Sequence, residues 1–122
     1  MKQLRIALVF VGLLLTAGAN AAESRAVEIN INGMGPAVDD AAFTTVKQVI
    51  GSAIANGVID QFIVYGYGDE GGFSACAQAS SRNKGFVAFV KQLRSIMPNP
   101  ATTAYTLNPV TACTPVSAPS AL

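Results

Sequence analysis

Residues able to do chemistry concentrate in one stretch of this chain, Tyr65-Gly66-Tyr67-Gly68-Asp69-Glu70-Gly71-Gly72. A glycine-rich loop cradles phosphate when its N–H groups converge at the start of a helix and a lysine follows. Here the glycines lie between two strand-like runs, no lysine follows, and Asp69 and Glu70 would repel an anion. The two carboxylates could in principle bind a cation or act as an acid and base pair. Neighbours on a tight turn point apart, however, and hard cations need more oxygens than these two supply. The stretch therefore reads as a β-hairpin whose glycines supply positive φ, with Asp69 and Glu70 at a tip that can meet a partner. The chain contains no histidine, which removes the commonest general base and metal ligand. Thr44, Thr45, Thr102 and Thr103 have no base to activate them. No catalytic, cofactor-binding or metal-ligating residues are expected, and the protein reads as a non-enzyme.

The compartment sets the chemistry of the only two cysteines, Cys76 and Cys113. Lys2 and Arg5 precede the apolar run Ile6 to Leu15, and Ala19-Asn20-Ala21 is a small-x-small cleavage site. This is the pattern of a secretory signal peptide over residues 1–21. The apolar run is well short of the roughly twenty residues that span a bilayer, and no membrane anchor is expected. The protein is expected to be exported, periplasmic or secreted, where two cysteines form a structural bridge. Loss of Lys2 and Arg5 with the signal leaves six basic and seven acidic residues, hence a net charge of −1. Lys47, Arg82, Lys84, Lys91 and Arg94 are scattered over two segments. Nucleic acid needs a basic stripe and is not an expected partner.

The elements that must position these residues follow from periodicity. Val27, Ile29 and Ile31 alternate with Glu28, Asn30 and Asn32 as in a half-buried strand. Asp39 or Asp40 then caps a helix that buries Phe43, Val46, Ile50 and Ile54 and stops at Asn56-Gly57. Val58 to Tyr67 is a strand rich in β-branched and aromatic residues, and Phe73 to Ala79 is its small-residue return. Ser80 to Asn83 offers caps for a second helix with Phe86, Phe89, Val90, Leu93 and Met97 on one stripe, ended by Pro98 and Pro100. Thr102 to Cys113 reads as a last strand carrying Pro109, which suits an edge or a bulge. A single domain spans residues 22–113, and residues 114–122 are expected to be a disordered tail.

The order β-α-β-β-α-β resembles the ferredoxin-like fold, an α+β layout with two helices on one face of a four-stranded antiparallel sheet. That family of topologies includes acylphosphatases, whose arginine-bearing glycine loop has no counterpart in Asn32-Gly33-Met34-Gly35-Pro36. The layout also tests the bridge. The third and fourth strands both flank the first, about 9 to 10 Å apart, whereas bridged Cα atoms lie within roughly 7 Å. Either Cys113 lies past the end of the first strand with the chain curling over, or the strand order differs. Parity also places Cys113 on the core face and Cys76 on the other, a conflict that a bulge at Pro109 would remove.

With Phe62 and Val64 facing the helices, Ile63, Tyr65 and Tyr67 form an apolar patch on the open sheet face, unless the tail or loops cover it. The leading expectation is a small exported non-enzymatic binding module, an inhibitor or envelope interaction protein, that contacts a protein through Ile63, Tyr65, Tyr67, Asp69 and Glu70. One alternative is a homodimer with facing sheets that encloses a ligand-binding or enzymatic pocket. Another is a secreted antigen or effector.

Overall fold

The computed structural model describes residues 24–115. The expected signal peptide, residues 1–21, and the expected tail beyond residue 115 lie outside the described residues. Within them run β1 Ala26–Gly33, α1 Asp40–Ala55, β2 Ile59–Tyr67, β3 Gly72–Ala79, α2 Phe86–Arg94 and β4 Thr103–Val110. The strands form one antiparallel sheet in the order β2-β3-β1-β4. This is the α+β layout expected of a ferredoxin-like chain, with β2 and β4 at the edges.

Alternation in β1 puts Val27, Ile29 and Ile31, all fully buried, under the helices. Ile29 lies opposite Ala75 and Leu107, and Ile31 opposite Phe73 and Tyr105. The small Ala75, Ala77 and Ala79 of β3 leave room above them for Val46, Val49, Ile50 and Ala53 of α1 and Phe86, Phe89 and Leu93 of α2. Two expected core residues are outside this cluster. Ile54 is 48% exposed, on the flank of α1. Met97 is 84% exposed because α2 closes at Arg94, where the Ser95 N–H turns back to the Lys91 and Gln92 carbonyls. Asp39 caps α1 by accepting from the Ala42 N–H at 3.1 Å. The residues before α2 hold a turn instead of capping the helix: Ser80 Oγ accepts from Arg82 N–H, and Asn83 Oδ1 from Gly85 N–H.

The glycine-rich hairpin is fastened to the start of the first crossover. Val38 N–H donates to the Glu70 carbonyl at 2.8 Å, and Gly33 N–H to the Gly71 carbonyl at 3.1 Å. Gly72 has φ +95°, and a Cβ there would stand 1.9 Å from the Ile31 carbonyl oxygen. Sterics at this crossing therefore require glycine.

The disulfide Cys76–Cys113 forms with a Cα–Cα distance of 5.7 Å in the usual strand order. Pro109 lies on an edge strand, the first of the two settings that suit it, and stays in register opposite Val27 without a bulge. Val110, paired with Ala26, ends β4, and the chain then turns over the open face to reach Cys76. Leaving the strand resolves both the distance and the parity. A bridge of this kind fits an oxidising compartment. Among the described residues no helix is long and apolar enough to cross a membrane.

Candidate functional site

On the open face, β2 places Ile63 opposite the fully buried Cys76. Tyr65, 40% exposed, stands beside Glu28, Asn30 and Ser74. The strap that follows β4 crosses this region: Cys113 N–H donates to Gln78 Oε1 at 3.0 Å, and the Tyr65 hydroxyl donates to the Thr114 carbonyl at 2.6 Å. Nearer β4 the face is polar, with Asn108 Nδ2 donating to Glu28 Oε1. The chain's own strap thus occupies much of the expected patch.

Tyr67 is not on that face. Register shifts in β2 between Ile59 and Gln61 and between Val64 and Gly66 reverse the alternation at both ends of the strand. The first sends Ile59 into the core, and the second sends Tyr67 to the helix side, opposite Phe73. Strict counting by twos cannot detect a residue inserted by a bulge. Asp69 and Glu70 are exposed at the hairpin tip, away from Ile63. The five residues therefore form three separate surfaces: Ile63 with Tyr65, Tyr67 alone, and the acidic tip.

The bulge that displaces Tyr67 completes an apolar groove of about 430 Å³ between α1 and β2. Phe73 is its floor, 4% exposed, with the rings of Phe43, Phe62 and Tyr67 at 5.1, 5.9 and 6.4 Å. The α1 wall carries Phe43, Lys47, Ile50, Gly51 and Ile54, a helical stripe, and Lys47 Nζ sits 4.3 Å from the Phe43 ring centroid. Gly51 is informative. Glycine inside a helix costs roughly 1 kcal/mol relative to alanine, yet a Cβ here would meet nothing within 4 Å. Among the described residues no contact requires glycine, and its missing side chain leaves the helix backbone open to the groove. The groove runs along β2, an edge strand whose outer side pairs with no other strand among the described residues.

Among the described residues two titratable groups are displaced from their ordinary values, and both act as locks. Asp39 is held below the usual carboxylate range by the backbone N–H of Asn99 and then that of Ala42. Tyr105 is pushed up to about 12 by burial, against the pull of the Arg94 charge. Its hydroxyl donates to the Leu93 carbonyl at 2.6 Å. Among the described residues no three His, Cys, Asp or Glu side chains gather as a metal site. The groove is hidden in the sequence because helical spacing places Ile54 in the core and alternation places Tyr67 on the other face. A mid-helix glycine on the apolar flank of α1 was the available signal. Compared with protein-family models, curated proteins and solved structures, the chain matches none.

Proposed function

We propose that this protein is an exported, non-enzymatic binding module whose α1–β2 groove takes an extended apolar segment of a partner protein. The supporting observation is the conjunction of Gly51, open space beside it, and an unpaired edge strand along the same groove. An extended segment adds to a free edge through main-chain hydrogen bonds, and every second side chain then points to one face. Phe62, Val64 and Phe73 would receive those side chains, while exposed Ile54 and Tyr67 flank them. The signal-like N-terminus and the disulfide support export. The acidic tip at Asp69 and Glu70 is a second contact for the same partner.

The test is selection of displayed random peptides on the purified protein, with calorimetry of the enriched sequences. Enriched peptides should alternate apolar residues and lose about tenfold or more in affinity for Gly51→Leu, which fills the groove. That variant should fold with undiminished stability, because leucine is a better helix former than glycine. Peptides that bind Gly51→Leu as tightly as the wild type would overturn the reading, as would a selection that enriches nothing.

A further inference from the structure

The opposite edge of the sheet carries a different cleft. After α2 the chain runs through Ile96, Met97, Pro98, Asn99 and Pro100 before entering β4, and between this loop and β4 lies a space of about 820 Å³. That is within the range of small-molecule sites. Ile96, Met97, Pro98, Pro100 and Leu107 make its lining largely apolar, and Arg94 is the only charged side chain among the described residues that line it.

Both walls are braced. Tyr105 on β4 is tied to the end of α2 by its bond to the Leu93 carbonyl. The loop is tied to α1, because Asn99 N–H donates to Asp39 Oδ2 at 3.0 Å and Asp39 N–H to Thr103 Oγ1 at 2.8 Å. A cleft held open by such bonds does not have to be ordered by its occupant. Pro98 and Pro100 bring no N–H into it, so the donors it can offer are few. The guanidinium of Arg94 is one. Asn99 supplies another, since its Oδ1 already accepts from Ala101 N–H and its NH₂ group remains.

An apolar cleft with one planar cation selects for an apolar body that ends in a single carboxylate. We propose that this cleft binds a small amphipathic monocarboxylic acid, its chain against Pro98, Pro100 and Leu107 and its carboxylate paired bidentately with Arg94. The site is independent of the α1–β2 groove, on the other edge of the sheet.

Calorimetric titration with octanoate, 1-octanol and inorganic phosphate reads the three parts of this inference. Octanoate should bind saturably at one site. Octanol, which keeps the body and loses the charge, and phosphate, which keeps the charge and loses the body, should each bind at least about tenfold more weakly. Arg94→Gln should weaken octanoate by a similar factor without lowering the melting temperature, since Arg94 is exposed. Gly51→Leu should leave octanoate binding unchanged. Octanoate that binds Arg94→Gln as well as wild type, or that is lost in Gly51→Leu, would overturn the assignment. So would the absence of saturable binding.

Discussion

The two edges of the sheet are fastened by different chemistry. On the β2–β3 side the restraints are steric, covalent and main-chain: Gly72 pressed against the Ile31 carbonyl, backbone bonds from Gly33 and Val38, and a disulfide that draws the strap after β4 over the open face to β3. On the β4 side one main-chain bond, from Met34 N–H to the Thr102 carbonyl, is joined by side-chain hydrogen bonds that involve Asp39, Thr103 and Tyr105. Covalent and steric restraints are insensitive to pH, whereas bonds to a carboxylate are not. The edge with the narrow apolar groove is therefore the permanently fixed one, and the edge with the wide cleft can be loosened by solution conditions.

The largest effect should come from breaking the covalent restraint. Cys113→Ser opens a loop of 37 residues' separation, and chain entropy sets the loss at about 4 kcal/mol, roughly 15 to 30 °C in melting temperature. In the folded variant, chemical-shift changes should be confined to Ile63, Tyr65 and Gln78, which the strap covers. Changes that reach Arg94 and Tyr105 would show that the two edges are not fastened separately.

Next in size is the steric restraint. Gly72→Ala puts a methyl 1.9 Å from the Ile31 oxygen at φ +95°, which should cost about 3 kcal/mol or more. Gly57→Ala separates strain from crowding, for Gly57 also has positive φ, +73°, with nothing within 4 Å of its would-be Cβ. It should cost about 1 to 2 kcal/mol in urea titration. Equal losses at the two sites would mean that the Gly72 crossing is not what holds the hairpin to β1.

These restraints differ in how visible they are in the sequence. Alternation in β1, the β-rich run of β2 and the apolar stripes of both helices reveal the element order, because each is a local period set by one buried face. The bridge to Cys76 is legible in the signal-like N-terminus and the cysteine count, but the path of the strap is not, since leaving β4 after Val110 is a tertiary event. The bulges in β2 carry no local signature: Val64-Tyr65-Gly66 reads as continuous alternation until β3 pairs with it. For that reason the helix-side position of Tyr67 was illegible. The cleft at β4 was hidden differently, because Arg94 looks like any solvated helix cation until the loop from Ile96 to Pro100 is seen beside it.

The smallest effect tests the side-chain restraint. Asp39 titrates below its ordinary value when folded, so its contribution to stability is complete above the ordinary carboxylate range and is lost as pH falls through the lowered folded-state value. Asp39→Asn keeps an oxygen for the cap but removes the charge that Asn99 and Ala42 favour. The wild type should melt above this variant at pH 7, and the gap should shrink toward zero as pH falls below the ordinary carboxylate range. Amide exchange locates the change: Asn99 should lose protection in acid before Gly33 and Val38, whose partners are backbone carbonyls. A gap that stays constant with pH, or acid loosening that begins at Gly33 and Val38, would erase the distinction between the two edges, because the carboxylate would then not be what makes the β4 side responsive.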